Sequence, residues 1–255
     1  YHTLLYDVQP DMLHKGRQIL EKNLQFLADK AKLTATEHKD TWHRISFTNH
    51  VQACVGDLVI EAVVEKMEVK LHLFNELYKH NSSTTLFASN TSSLCITELQ
   101  QGLPDAARVA GMHFFNPAHI MKLVEVVKGQ YTSEHTAAII YAVAQKMGKV
   151  PVYCKDAPGF IVNHVARTYY LEAMHLVSMG HTSIETVDAC MEAAGFKMGP
   201  FKLMDLIGMD VNYKVSEQVW QAMGKPERLQ PAAMQHAKVT AGELGRKTGK
   251  GFYNY

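Results

Sequence analysis

Up to about residue 154 the chain alternates short β-rich runs with helical stretches, and no other feature constrains its fold as strongly. The runs 3-TLLYD-7, 44-RISFT-48, 58-LVIEAVV-64, 84-TLFAS-88, 108-RVAGMHF-114, 121-MKLVEVV-127 and 150-VPVYC-154 are interleaved with helical segments at 11–33, 67–79 and 135–147. Alternation of this kind predicts an α/β unit with a mainly parallel sheet. Successive apolar residues, as in 58–64, suit strands covered on both faces. After 156-DAPG-159 the period changes. Ile161, Val165, Tyr169, Leu171, Met174, Leu176 and Val177 are spaced for one buried helix face, and further helices are expected at 183–194, 201–207, 210–223 and 230–243. Pro158 is expected in the first turn of the long helix. The chain therefore reads as a sheet-containing unit over 1–155 and an all-helical unit over 156–255.

Charge and composition narrow the function classes. Lys and Arg number 26 against 25 Asp and Glu, which leaves no polybasic arm for nucleic acid. The longest apolar runs are broken by carboxylates and fall far short of the ~20 residues that a membrane helix requires. No basic and apolar leader is visible at the start, so no secretory signal is expected. Cys54, Cys95, Cys154 and Cys190 are widely separated and form no CxxC pair, which suits reduced structural thiols. The 14 histidines include no HExxH, and no metal site is expected.

Chemistry concentrates in the segments 87-FASNTSSL-94, 111-GMHFFNP-117, 121-MKLVEVV-127 and 154-CKDAPGFIVN-163. Each sets small polar or ionisable side chains at a strand end or helix start, where an α/β sheet places its binding crevice. A lone histidine at a strand end is ordinarily structural, and a lone glutamate in a strand ordinarily faces water. Glu125, however, sits between Val124 and Val126, and burying it unpaired would be costly. His113 is its natural partner, and the two would make a general base held in one tautomer by a carboxylate. Asp7, after the apolar 4-LLY-6, fits the acid that closes the second strand of a dinucleotide-binding βαβ unit, although an Asp there is more often a helix cap.

Read jointly, 87-FASNTSSL-94, 111-GMHFFNP-117, 121-MKLVEVV-127, 155-KDAPGFIVN-163, 198-MGPF-201 and 247-KTGKGFY-253 resemble the L-3-hydroxyacyl-CoA dehydrogenases, in that order and over essentially the whole chain. The resemblance implies a Rossmann-type NAD domain, a helical domain that binds substrate and forms a homodimer, and catalysis in the cleft between them. It implies NAD-dependent, reversible oxidation of the 3-hydroxyl of an acyl-CoA thioester in fatty-acid or related acyl-CoA degradation. By position, His113 matches the family's base and Glu125 its partner. Ser92 and Asn163 match substrate contacts, and Asp7, Glu65, Lys70, Asn116 and Lys247 match cofactor contacts. The implied compartment is the cytoplasm, or the mitochondrial matrix in a eukaryote. Two alternatives stand beside this reading: a dehydrogenase of a free hydroxy or sugar acid, and a non-catalytic relative of the crystallin kind.

The family opens with a strand and a glycine-rich turn, whereas no GxGxxG occurs in this chain. Roughly 25 residues of such a βα unit are expected to lie ahead of Tyr1. Without them the pyrophosphate would lose its backbone donors and neighbouring strand edges would be exposed, so the chain on its own is expected to be inactive.

Overall fold

The computed structural model describes residues 1–255. Its strands are β1 (Thr3–Tyr6), β2 (Ile45–Thr48), β3 (Leu58–Glu61), β4 (Leu86–Ser89), β5 (Val109–Phe114), β6 (Leu123–Lys128) and β7 (Val150–Lys155). Helices α1 (Pro10–Asp29) and α2 (Ala35–His43) link β1 to β2, α3 (Met67–His80) links β3 to β4, α4 (Ile96–Gln101) links β4 to β5, and α5 (Glu134–Lys146) links β6 to β7. Beyond β7 come α6 (Val162–Ser178), α7 (Ile184–Ala193), α8 (Pro200–Ile207), α9 (Met209–Ala222) and α10 (Ala233–Thr240), with no further strand. The architecture is α/β followed by an all-α unit. No helix is long and apolar enough to cross a membrane.

Where the helices begin is explained by local chemistry. Pro10 sits at the first position of α1, where its missing N–H is not needed. The helix expected over 11–33 ends at Asp29, and a second, unexpected helix starts at Ala35. Thr34 stops and restarts the chain with a reciprocal cap: its Oγ1 accepts the Glu37 amide (3.2 Å) while Glu37 Oε2 accepts the Thr34 amide (2.9 Å). Ser133 and Ser183 cap α5 and α7 in the ordinary way. Pro158 lies in a turn, not in the helix as expected, because Gly159 and Phe160 both have positive φ (73° and 52°) and delay α6 to Val162.

The strands fall into two sheets instead of one: a parallel β1–β2 pair, and a five-stranded sheet in the order β3-β4-β5-β6-β7. All neighbours in the larger sheet are parallel except β5 and β6. Both β1 and β3 pair along one edge only. One face of the larger sheet packs Ala88, Ala110, Met112, Val124 and Val126 against Ile140 and Ala144 of α5. The other packs Phe87 and Val109 against Phe74 and Leu77 of α3 and Leu99 of α4. A separate core joins Tyr170, Leu171 and Met174 of α6 to Phe201, Met204 and Met209.

The tail closes this helical core through a buried carboxylate. Asp205 accepts the Phe252 and Tyr253 amides (2.9 Å each) and the Tyr255 hydroxyl (3.1 Å). A Cβ on Gly251 would sit 2.1 Å from Asp205 Oδ1, and one on Gly245, whose φ is +95°, would sit 2.2 Å from the Asp205 carbonyl. Gly251→Ala is therefore expected to cost about 1–3 kcal/mol of overpacking strain. Thermal unfolding should show a drop of several degrees, and an unchanged midpoint would contradict this account of the tail.

Candidate active site

The pairing of β5 with β6 builds the centre of the site. They run antiparallel with Met112 opposite Val126 and His113 opposite Glu125, so the two side chains share a face and meet across the strands. Because side chains alternate along a strand, a one-residue slip would turn them to opposite faces. His113 Nδ1 donates to Glu125 Oε2 at 2.7 Å, with His113 3% and Glu125 0% exposed. The other carboxylate oxygen accepts the Ile161 and Val162 amides (2.9 Å each) at the start of α6. Three donors and a helix N-terminus compensate a carboxylate that burial would otherwise penalise. Nε2 of His113 has no protein partner and is not sealed from solvent. The rings of Phe115 and Phe160 flank the imidazole, with centroids 4.6 and 5.7 Å away.

A second buried cluster holds the serine-rich loop. Lys70 Nζ, 1% exposed, lies 2.7 Å from Glu61 Oε1 and 3.2 Å from Glu65 Oε2. Glu61 also accepts the Ser89 hydroxyl (2.7 Å). Glu65 Oε1 accepts the Thr91 hydroxyl (2.6 Å), the Ser92 amide (2.9 Å), and the Ser93 amide and hydroxyl (3.2 and 3.0 Å). Burial pushes the Glu65 carboxyl up, but the Thr91 bond, the Lys70 charge and the serine donors outweigh it and leave it below the ordinary value of 4.5. With the folded value below the unfolded one, this stabilisation is complete above the unfolded value and is lost as the pH falls through the folded one.

The KDAPGFIVN segment is pinned residue by residue. Asp156 accepts the Ile96 and Thr97 amides at the start of α4 (3.0 and 2.7 Å). The Phe160 amide closes a turn on the Ala157 carbonyl (2.8 Å). The Asn163 amide group donates to the Ser92 carbonyl at 3.4 Å, which ties α6 to the serine loop. Below it, Arg167 is buried without a carboxylate partner. It donates to the carbonyls of Asn163 and Asn212 (3.0 Å each) and to Ser216 Oγ (2.8 Å), and burial lowers its value to about 10.

A cleft of about 310 Å³ opens between the two units, lined by Glu65, Asn90, Ser92 and Ser93 on one side and by Val211 and Lys214 of α9 on the other. The strand that carries His113 is attached to this wall, since Asn90 Oδ1 accepts the Phe114 amide (2.8 Å). The structure thus brings together His113, Glu125, Ser92, Asn163 and Glu65. Lys70 stays apart from the cleft, because its ammonium is committed to two carboxylates. Lys247 pairs with Asp210 at the start of α9, and Asn116 is exposed beyond β5. Asp7 follows β1 and accepts the Gln9 amide on Oδ1 (2.8 Å), leaving its second oxygen without a partner. A free carboxylate oxygen at the end of a parallel strand suits a ribose diol, so the residues present fit that part of a dinucleotide. No cluster of three or more metal-ligating side chains occurs.

Sequence reasoning passed over Glu61, Ser89, Thr91, Asp156 and Phe160. The KDAPGFIVN wording was the only signal for the last two; Glu61 looked like an ordinary strand-end acid.

Comparison with known proteins matches two successive family models to the chain. Residues 1–157 match the family model described as "3-hydroxyacyl-CoA dehydrogenase, NAD binding domain", and residues 159–255 match "3-hydroxyacyl-CoA dehydrogenase, C-terminal domain". The chain is 40% identical over 257 residues to the 3-hydroxyadipyl-CoA dehydrogenase of Escherichia coli K12, covering 100% of itself and 54% of that protein. It is 40% identical over 264 residues to the mitochondrial hydroxyacyl-coenzyme A dehydrogenase of Sus scrofa, covering 100% of itself and 84% of that relative. Superposition on the crystal structure of an E. coli K12 3-hydroxybutyryl-CoA dehydrogenase gives a TM-score of 0.96 at 40% identity, over 100% of this chain and 54% of the other. The chain thus spans about half the length of the two E. coli proteins and most of the pig enzyme.

Proposed function

Because the chain belongs to the 3-hydroxyacyl-CoA dehydrogenase family, whose NAD-binding domain its first 157 residues match, we propose that it interconverts L-3-hydroxyacyl-CoA and 3-ketoacyl-CoA thioesters with NAD. The observation that carries this reading is the buried 2.7 Å His113–Glu125 pair, with Nε2 left without a protein partner on a strand that the Asn90–Phe114 bond ties to the wall of the cleft. Bound NAD would supply the hydride acceptor for the carbon that bears the hydroxyl. His113 Nε2 takes the hydroxyl proton, and Glu125 keeps the ring oriented and offsets the charge it acquires. A neutral imidazole already donating through Nδ1 presents its lone pair at Nε2, so no tautomer change is needed first.

Ser92 and Asn163 hold the substrate oxygens in line, a positioning effect that needs the serine loop and α6 to keep a fixed distance. The Asn163–Ser92 bond and the Glu65 scaffold maintain it. Asp7, Glu65 and Asn116 make up the cofactor side in this reading, while Lys70 and Lys247 act through Glu65 and Asp210. We place the division between units at 155/156, with the helical unit binding substrate and pairing with a second copy. The compartment in this reading is the cytoplasm, or the mitochondrial matrix in a eukaryote; the pig relative's name says mitochondrial.

Following NADH absorbance with the holoenzyme tests the reading. Acetoacetyl-CoA is expected to be reduced with a kcat/KM at least ~10³ above that for acetoacetate or a free sugar acid, because carrier-binding energy is used at the reacting carbon. Equal rates on free acids would move the assignment to a hydroxy-acid dehydrogenase. No turnover of either by a protein that includes the glycine-rich βα segment and binds NADH would leave a binding protein.

A further inference from the structure

We infer that Phe160 is a positioning residue for the catalytic pair: its left-handed backbone turns the next two amides onto Glu125 while its ring wedges against His113. The inference rests on the reading of His113 as the base. A φ of +52° is rare for a bulky side chain, and Gly159 before it also lies in the left-handed region at +73°. Were residues 158–160 right-handed, the Ile161 and Val162 amides would bond back to the carbonyls of residues 157 and 158 in a continued helix. The left-handed step starts α6 afresh at Val162 and frees those donors. Both point at Glu125 Oε1, at 2.9 Å.

Glycine would adopt this conformation without strain, yet the chain carries phenylalanine there. The ring is put to use. It is 6% exposed and packs with Ile96, Val127 and Cys154, where α4, β6 and β7 converge, and its centroid lies 5.7 Å from the imidazole. It therefore couples the chain reversal to the histidine. Strain held at a site by surrounding packing is a recurrent means of pre-organisation.

The test compares Phe160→Gly, which keeps the backbone conformation and removes the wedge, with Phe160→Leu, which keeps part of the wedge. Both are assayed as holoenzyme below their melting midpoints. The Gly variant is expected to lose about 10–100-fold in kcat and the Leu variant roughly 3-fold, each with thioester KM within about 3-fold of the parent. In a Glu125→Leu background, where the imidazole has no carboxylate to be held against, Phe160→Gly should cause no further loss. If the Gly variant does not fold, the Leu variant carries the same kcat-only prediction. Parental kcat in the folded variants, KM rising in step with the fall in kcat, or additive losses with Glu125→Leu would each overturn the inference. A large kcat loss in His113→Gln alongside parental Phe160 variants would sink this inference alone, whereas an unaffected His113→Gln would sink the reading beneath it.

Discussion

His113→Gln is expected to lower kcat of the holoenzyme by about 10²–10⁴-fold, roughly 3–5 kcal/mol of barrier, with little change in thioester KM. Glutamine nearly fills the imidazole's space, and Glu125 keeps the Ile161 and Val162 amides, so neither a large cavity nor a wholly unpaired buried carboxylate is created. What disappears is an atom able to accept a proton at the position of Nε2. The side chain is 3% exposed and buttressed by Phe115 and Phe160, so water cannot freely take its place. Steady-state kinetics in both directions, with circular dichroism to establish folding, decides the matter. A folded variant within about 3-fold of parental kcat would remove His113 as the base.

The largest expected effect on stability lies away from the chemistry, at Lys70. Its ammonium is 1% exposed and lies between Glu61 and Glu65. Lys70→Met keeps the aliphatic stem and removes the charge, leaving two facing carboxylates without a cation. Breaking a buried pair by deleting one partner costs about 3–5 kcal/mol, which in a chain of this size lowers the melting midpoint by roughly 10 °C. Adding Glu61→Gln should recover part of the loss, because one stranded charge is then gone. Activity should fall as well, since Glu65 holds the amides of Ser92 and Ser93. A Met variant melting within about 2 °C of the parent would show that the ion pair contributes nothing net.

These two positions mark how far a sequence can be read. His113 and Glu125 announce themselves through chemistry: an imidazole before two aromatics, and an acid inside a valine run. Lys70 enters the sequence reading only as a match to a cofactor contact, and only packing reveals it as the buried counter-ion of Glu61 and Glu65. Thr34 and Glu37 form a recognisable cap, yet the helix it opens, Ala35–His43, buries no residue and so carries no apolar pattern to announce it. Pro158 suggested a helix start that Gly159 and Phe160 defer, because a positive φ at a phenylalanine has no local signature.

The amino-acid order by itself determined the alternation of strands and helices, the change to helix after β7, and the residue types available for proton transfer, since periodicity, capping and side-chain chemistry act over a few neighbours. The tertiary structure alone decided that β5 runs antiparallel to β6 with 113 facing 125, that the strands divide into two sheets, and that two amides of α6 end on Glu125. Register and burial are set by contacts between segments 12 to 71 residues apart, and no short window of sequence contains both partners.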